Sequence, residues 1–559
     1  MEYATGATHL PAMGPVALMY RVVAAALLGA SLVQSASPQS ASPQSASPRS
    51  ASPQSASPQS ATPPRLGLPA TTIEAVVRSF DPSAADAHDR PLLHAVSRFY
   101  TDRRFTPAWT DARGLTVAGV RLTEALAVAN DEGLDARAYD VQTPDPRDTA
   151  ARARADVRLS FLALRFAEDL GVGLAVPGAI HRDHAFVRPR LRGDSLLHAL
   201  RNAADAKRAL LGTAPATPGY VRLREALQQL RAIEQRGGWD TLPAGPTLRL
   251  GMSGARVAQL RQLLRQRGDL EGGHSGDGTA TYDEALAVAV ARFQERHGLT
   301  VDSLAGRATA AALNVPVRDR LEQVRLGMER TRWLPAVTGN RWITVNLADY
   351  MAFVFDDGQP VFATRVVIGD RNHKTPMFVD TLTTIVLNPA WNVPPSIAAK
   401  EILPKLRREP DYLEQNHMIR VGRDIQQVPG PWNALGQIAF MLPNRFNVYL
   451  HDTPAKALFA LPDRAHSHGC IRVQRPHELA TLLLEADGWT RARLDSVIAT
   501  GRRTAVLLKT PVPVRITYAT AFADRDGTLQ FRPDVYRRDA LLARALVLEH
   551  QRPLPAPLR

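Results

Sequence analysis

The chain has 559 residues, 45% of them hydrophobic and 22% charged, a composition that excludes disorder throughout and allows roughly three or four domains. The net charge of +14 comes almost entirely from arginine, because lysine occurs only at positions 207, 374, 400, 405, 456 and 509. The arginines are interspersed rather than gathered in basic blocks, and no zinc-finger or RNA-binding motif accompanies them, so we predict no nucleic-acid partner.

The N-terminus has the pattern of a secretory signal. Arg21 precedes an apolar stretch, residues 22–33, and small residues follow at Ser35 and Ala36. We therefore predict a signal peptide over 1–36 and an exported protein, whose periplasmic location is implied by the family resemblance described below. The apolar stretch is shorter than the roughly 18 residues that span a bilayer, and no later stretch reaches that length. The mature chain is accordingly predicted to have no integral membrane span.

A pentamer repeat of the form SASPQ covers residues 35–64. Small polar residues with a proline in every repeat cannot build a packed core, and proline favours extended geometry. We predict that 37–66 is a linker that gives reach toward the cell wall, with a glycosylated or purely passive stretch as the alternative.

Amphipathic helices are predicted from 67 to 240, because apolar residues recur there at three- and four-residue spacing. The clearest stretches are 92–100, 121–134, 158–174 and 220–236. No catalytic constellation appears among them, and Phe105 and Trp109 are predicted to be core aromatics. This region is predicted to be a helical scaffold domain.

Residues 246–316 predict a compact unit of three helices separated by glycine-containing turns. The unit resembles the small three-helix peptidoglycan-binding domain of bacterial wall enzymes, which implies glycan as a partner. The resemblance is carried by Gly251, Gly254, Arg292, Phe293, Gln294, His297, Gly298, Leu299, Asp302, Gly306, Thr309, Leu313 and Asn314.

From about 341 the pattern changes to β-branched and alternating runs divided by Gly, Pro, Asp and Asn, which predicts strands. We predict a β-rich catalytic domain over 335–535 and a C-terminal tail over 536–559. A long, more helical insertion interrupts the strands at about 392–446, and an insertion of this length beside a site is typical of a lid. The fold class is therefore predicted as multi-domain α+β.

The candidate chemistry lies in residues 449–473. Cys470 is the single cysteine, so an intramolecular disulfide is excluded, and His451 precedes it at the end of a predicted strand. Acyl transfer by a thiol needs a base and donors for the oxyanion. We predict that a His451 imidazolium favours the thiolate, that the carbonyl or carboxylate of Asp452 fixes the His451 tautomer, and that the Gly469 and Cys470 amides are oxyanion donors with support from His468.

Two other interpretations of these residues stay open. The histidine and the cysteine could be structural residues of a core. A metal site could be drawn from His451, His466, His468 and Cys470, although this spacing is not that of a zinc finger. We predict no metal and no cofactor.

The segment from His451 to Ser467-His468-Gly469-Cys470 resembles the signature of YkuD-type L,D-transpeptidases, in the long multi-domain periplasmic branch. Arg472 stands where many members have Asn. The similarity extends to Ile368-Gly369, Thr375-Pro376, Asn388-Pro389, Trp391-Asn392-Val393-Pro394 and Gly430-Pro431-Trp432-Asn433.

The resemblance implies that Cys470 attacks the carbonyl before the terminal D-Ala of a peptidoglycan stem peptide, and that the resulting thioester passes to an amine. It also implies that carbapenems acylate Cys470. The residues predicted to bind substrate are Ser467, Arg472, Trp391 and Tyr449.

Two alternatives to transfer remain. Water could intercept the thioester, which would make an L,D-carboxypeptidase with the same residues. The chain could also be a wall-binding scaffold with a decayed catalytic domain, although His451 and Cys470 are both present.

Overall fold

The computed structural model describes residues 68–145, 147–189, 191–271, 280–337, 339–524 and 526–559. The predicted signal peptide, 1–36, lies outside the described residues, as does the predicted linker, 37–66. Within the described ranges, no helix combines the length and the apolar character needed to cross a membrane.

The N-terminal third of the described chain is helical, as predicted. Its centre is a helix of 23 residues that is buried on nearly every face and is capped by the Asp148 carboxylate. Trp109 is fully buried against it, and the indole N–H donates to Ser160 Oγ at 2.6 Å, which confirms Trp109 as a core aromatic. Phe105 is partly buried on the same core. The helices are α1 (Ala70–Arg78), α2 (Asp89–Asp102), α3 (Val117–Ala127), α4 (Thr149–Gly171), α5 (Pro177–Ile180), α6 (Gly193–Asn202), α7 (Ala206–Leu211) and α8 (Pro218–Gln235).

Three further helices build a small unit with its own hydrophobic core: α9 (Ala255–Gln266), α10 (Glu284–Arg296) and α11 (Arg307–Leu313). Phe293 and Leu260 are fully buried in it. The polar Gln294 is buried too, and its amide joins the turn at Asp302 to the hydroxyl of Thr309. A long helix, α12 (Val317–Arg332), then leads to the β-rich region.

The β-rich region is a sheet that closes on itself. Its strands follow the order β11-β12-β14-β6-β5-β4-β15-β7, and β11 also pairs with β7, so eight strands form a closed barrel. The strands of the sheet are β3 (His184–Ala185), β4 (Arg341–Asn346), β5 (Met351–Asp356), β6 (Gln359–Gly369), β7 (Met377–Leu387), β11 (Ile438–Met441), β12 (Leu450–His451), β13 (Ala465–Ser467), β14 (Ile471–Val473) and β15 (Thr504–Thr517). Two short hairpins stand apart: β1 (Thr110–Asp111) with β2 (Gly114–Leu115), and β16 (Ala521–Ala523) with β17 (Leu529–Phe531).

The helical region and the barrel are physically continuous. β3 comes from the helical region and pairs in parallel with the start of β7. Buried residues of α2 and α4 also belong to the same hydrophobic cluster as those of the barrel. The three-helix unit, by contrast, keeps a separate cluster. The sequence pattern did not predict this shared core, because a two-residue strand such as His184–Ala185 carries no periodicity.

The lid insertion is not purely helical. It holds α13 (Pro395–Ile397), α14 (Leu403–Leu406), α15 (Tyr412–Gln415) and a π-helical turn, Ala398–Ile402. It also holds a three-stranded sheet in the order β8 (Trp391–Asn392), β10 (Asp424–Gln427), β9 (Met418–Val421). Gly422, at φ +62°, supplies the conformation for the two-residue hairpin between β9 and β10. The lid has its own small core, whereas β11, inside 392–446, belongs to the barrel.

Two helices, α16 (Pro476–Leu484) and α17 (Arg491–Ala499), follow the nucleophile region, and α18 (Asp539–His550) lies near the C-terminus. Residues 536–559, which were predicted to be a C-terminal tail, contain α18 and contribute to the main core. Tyr536 and Arg538 are buried, and α18 buries Leu542 and Leu546 in the main core. The apolar residues of α18 lie on several faces, with Leu541, Val547 and Leu548 exposed, so the sequence has no one-sided apolar pattern that would predict a packed helix.

Candidate active site

The candidate nucleophile lies on a tight turn at the end of β6. β13 runs parallel to β6 and pairs Ser467 with Gly369, and β14 then returns antiparallel to β6. The chain reverses between them at residues 468–470. Gly469 is buried with a φ of +114°, a conformation that favours glycine. The turn thus fixes Cys470 at the rim of the barrel.

The hydroxyl of Ser467 closes this turn from inside. It donates to the Cys470 carbonyl at 2.5 Å and accepts from the Gly469 N–H at 3.1 Å. These two bonds bear on the predicted roles of Ser467 and Gly469. Ser467 is buried and committed to the turn, which argues against contact with a substrate. The Gly469 N–H is committed too, which leaves the Cys470 N–H as the candidate oxyanion donor.

His451 ends β12 and is 4% exposed. Its Nδ1 lies 2.5 Å from the backbone carbonyl of Asp452, so Nδ1 carries the proton and Nε2 is left as the acceptor. Of the two acceptors predicted on Asp452, the carbonyl is the one used. The Asp452 carboxylate holds the surrounding loops, accepting from the amides of Gln437 and Thr453 and pairing with Lys456.

The thiol of Cys470 is half-buried and donates to the carbonyl of Asn447, with Sγ 3.7 Å from the oxygen. Among the described residues, no hydrogen bond joins Cys470 to His451. Burial lowers the pKa of His451 to about 4, and the Arg472 charge adds to this effect. Burial also raises the pKa of Cys470, against a hydrogen bond from the Tyr449 amide and the Arg472 charge.

These directions favour neutral side chains over the expected thiolate and imidazolium. Burial favours the neutral imidazole and the protonated thiol near neutral pH, and at His451 it outweighs the carbonyl and the carboxylate of Asp452, which favour the charged form. The site therefore rests as a neutral pair, and charge must develop when a substrate arrives.

Arg472 and Tyr449 flank the thiol. β12 and β14 are parallel and pair His451 with Arg472, which places Tyr449 beside Cys470. The rings of Tyr449 and His451 are 5.7 Å apart. Arg472 is half-buried, and its Nε finds no hydrogen-bond partner within the described part of the chain. The Arg472 guanidinium, a cation near the nucleophile with an N–H that has no partner among the described residues, is suited to bind a carboxylate.

The contacts of His468 differ from those that the predicted oxyanion role requires. It is exposed, and its Nε2 pairs with Glu401 of the lid at 2.7 Å. Its ring also lies 4.9 Å from that of His373, whose Nδ1 is 3.1 Å from Asp370. The side chain thus connects the nucleophile turn to the lid. The prediction that it assists the oxyanion is not supported by these contacts.

Residues 340–514 match the YkuD family, described as the L,D-transpeptidase catalytic domain. Residues 94–227 match a family described as a scaffold domain, and residues 253–313 match one described as "Putative peptidoglycan binding domain". This chain carries a YkuD-type L,D-transpeptidase catalytic domain. It is joined in one chain to a scaffold domain and a peptidoglycan-binding domain.

A relative from Haemophilus influenzae (strain ATCC 51907 / DSM 11121 / KW20 / Rd), named "Putative L,D-transpeptidase", is 30% identical over 238 residues. The alignment covers 39% of this chain and 48% of the relative, so the chain spans about half the length of that protein.

Solved structures of L,D-transpeptidases are also similar. One from Xylanimonas cellulosilytica DSM 15894, residues 123–326, is 16% identical, with 49% of this chain and 98% of that chain covered and a TM-score of 0.17. Another, from Stackebrandtia nassauensis, is 15% identical, with 49% and 97% covered and a TM-score of 0.22.

The L,D-transpeptidase domain also contains residues that the sequence did not single out. The Asn447 carbonyl accepts from the thiol, and Asn447 has a φ of +54°, a left-handed conformation that asparagine tolerates better than most residues. Glu401 reaches His468 from the lid, and no sequence pattern pointed to it. Trp391 lies in β8 and packs half-buried on the lid core. Its role in substrate binding stays a prediction.

Proposed function

We propose that the chain is a peptidoglycan L,D-transpeptidase that acts through a Cys470 thioester. The observation that carries the proposal is a single half-buried thiol directly before β14, next to the strand that ends at His451, whose Nδ1 is held by the Asp452 carbonyl so that Nε2 is left to accept a proton. The match of 340–514 to the catalytic domain family supports the same chemistry.

In the first step, the Cys470 proton passes to His451 Nε2 as sulfur attacks the carbonyl carbon that precedes the terminal D-Ala of a tetrapeptide stem. The Cys470 N–H stabilises the oxyanion. The C–N bond then breaks, His451 returns the proton to the departing amine of D-Ala, and a thioester remains.

In the second step, the amine of an acceptor stem attacks the thioester. His451 takes a proton from this amine, the C–S bond breaks, and the proton passes to the leaving sulfur. A 3-3 cross-link forms and the neutral pair of Cys470 and His451 is restored. Arg472 supplies a charged partner for a carboxylate of the donor stem.

Hydrolysis is the second candidate outcome, because the half-buried thiol and the exposed His468 leave the turn open to water. Water in place of the amine would give an L,D-carboxypeptidase and a tripeptide product. The predicted signal peptide places either reaction in the periplasm, and the 253–313 unit supports binding to the wall polymer.

The largest effect is expected from Cys470→Ser. Serine keeps the shape of the side chain but is far less ionised near neutral pH, so we expect at least a hundredfold loss of acylation. The measurement is intact-protein mass spectrometry after incubation with a carbapenem and with a soluble tetrapeptide stem. The wild type should gain one adduct, on the peptide that contains Cys470, and the variant none.

Product analysis in the same experiment separates the two reactions: cross-linked dimers indicate transfer and tripeptides indicate hydrolysis. A persistent adduct in Cys470→Ser would reject the proposal. So would a wild type that remains unmodified although a maleimide labels its thiol.

A further inference from the structure

The segment that follows β17 returns to the rear of the nucleophile turn. It lies outside the 340–514 stretch that matches the catalytic domain family. Tyr536 is 1% exposed and its hydroxyl donates to the carbonyl of Gly369 at 2.5 Å. The same hydroxyl accepts from the Thr375 N–H at 3.2 Å. One phenol therefore holds together the end of β6 and the end of the loop that leads to β7.

Thr375 carries this contact on to the nucleophile turn. Its hydroxyl donates to the Gly469 carbonyl at 2.8 Å and accepts from the Gly369 N–H at 2.9 Å. Thr375 is fully buried, so these bonds are shielded from competition with water. A continuous path of three residues thus runs from Tyr536 through Thr375 to Gly469, which is bonded covalently to Cys470.

Tyr536 is itself held in place by its own segment. Its N–H donates to Tyr518 Oη at 2.9 Å, and Tyr518 in turn donates to Asp534 Oδ1 at 2.5 Å. Arg538 lies over the ring of Tyr536, with its guanidinium 4.8 Å from the centroid, and donates to the Thr375 carbonyl at 2.9 Å. Two groups from the C-terminal segment therefore reach the same threonine.

We propose that Tyr536 is a positioning residue for the Cys470 nucleophile and its oxyanion donor, acting through Thr375 and Gly469. This proposal rests on the proposed function for its effect on acylation. The turn carries the Cys470 N–H as well as the thiol, so loosening the Gly469 carbonyl misplaces both. Acylation by a carbonyl compound needs the two groups aligned, whereas alkylation of the thiol by iodoacetamide forms no oxyanion and does not need the Cys470 N–H.

The test compares Tyr536→Phe with the wild type in the full chain. The variant keeps the ring and loses the hydroxyl. Loss of one buried hydrogen bond predicts that acylation by a carbapenem slows by about 3- to 10-fold, while alkylation changes less than about 2-fold. Hydrogen exchange of a peptide that covers 467–471 should also become faster.

Two further variants serve as controls. Tyr282→Phe removes another buried phenol that donates to a backbone carbonyl, that of Ser303 at 2.7 Å in the three-helix unit, and should change none of the three measurements. Thr375→Val should reproduce the Tyr536→Phe pattern, and Thr375→Ser, which keeps the hydroxyl, should restore most of the acylation rate.

Equal acylation and equal exchange at 467–471 in Tyr536→Phe would overturn the proposal. So would parallel losses of acylation and alkylation, which report general damage to the fold. A wild type that is never acylated would reject the proposed function instead, and the exchange of 467–471 would still decide whether Tyr536 anchors the turn.

Discussion

The nucleophile turn is held in different ways on its two sides. Behind it, the buried Thr375 donates to the Gly469 carbonyl, and the buried Tyr536 holds Thr375 and Gly369, all through short hydrogen bonds between neutral groups. In front, the exposed His468 contacts the lid through one ion pair with Glu401. Buried neutral bonds fix geometry because water cannot compete for them, whereas an exposed ion pair is weak and easily exchanged.

The difference indicates a division of labour. The rear must stay in one arrangement so that Cys470 keeps its alignment, while the front must allow substrates to enter and leave. We count His451 with the rear because it is buried, and this burial lowers the pKa of its imidazole to about 4. Variants of His451 and Gly369 disturb the rear, and a variant of Glu401 disturbs the front.

The greatest effect among these changes is expected at His451. Replacing it by Asn keeps a polar group near the Asp452 carbonyl but removes the base, and we expect acylation near neutral pH to fall by roughly 10²–10⁴-fold. Because burial lowers the pKa of His451 to about 4, the wild-type imidazole stays neutral and able to accept a proton as the pH falls to about 4.

A profile of kcat/KM for D-Ala release against pH checks this directly. Activity should fall only as the pH drops through about 4, where His451 becomes protonated, and His451→Asn should lack this acid limb. Circular dichroism at each pH confirms that the fold is intact. An acid limb near pH 6 or above would restore the imidazolium and thiolate pair that the sequence suggested.

The next largest effect is expected at Gly369, where the rear of the site is most tightly packed. A Cβ at this position would collide with the His373 carbonyl oxygen and lie 3.0 Å from Gly469 Cα. Gly369→Ala must therefore move backbone, and we expect a loss of about 1–3 kcal/mol of stability. We also expect acylation to slow by about 10-fold or more, because Gly469 is displaced with Cys470.

Chemical denaturation and carbapenem acylation measure the two effects. Gly219→Ala is the matched control, since a Cβ there meets nothing within 4 Å. It should leave both quantities near their wild-type values. An active and fully stable Gly369→Ala would show that the rear tolerates movement and would contradict the division proposed here.

The sequence predicted the front of the site less well than the position of its nucleophile. Cys470 and His451 were found because a lone thiol and a strand-end histidine occur at a recognisable spacing. The two hydrogen bonds that Ser467 makes within the turn were not predicted, and neither was the ion pair of His468 with Glu401. Both depend on the side-chain conformations, which the sequence does not show.

The rear was harder still to predict. Tyr536 lies 66 residues after Cys470 in the chain, in a segment that we predicted to be a tail. Likewise, nothing in the sequence shows that His184–Ala185 joins the barrel sheet. Strong periodic patterns predicted the helices and the β-rich region, whereas contacts made by single residues across long separations leave no local pattern.

The smallest effect is expected at the front. Glu401→Gln removes the charge that pairs with His468, and both side chains are about half exposed, at 45% and 40%. Exposed pairs contribute about 0–1 kcal/mol, so we expect acylation to change by less than about 5-fold. The change should also shrink as salt rises to about 0.5 M, where charges on the surface are screened within a few ångströms.

Glu409→Gln, in the same lid, is the matched control, because the Glu409 carboxylate makes no ion pair with any described residue. It should behave as the wild type at every salt concentration. The assay is carbapenem acylation at low and high salt. If Glu401→Gln slows acylation more than Tyr536→Phe does, or slows it equally at both salt concentrations, the front is fixing geometry as the rear does. If its effect is small and disappears with salt, the lid is held by a contact weak enough to open in each turnover.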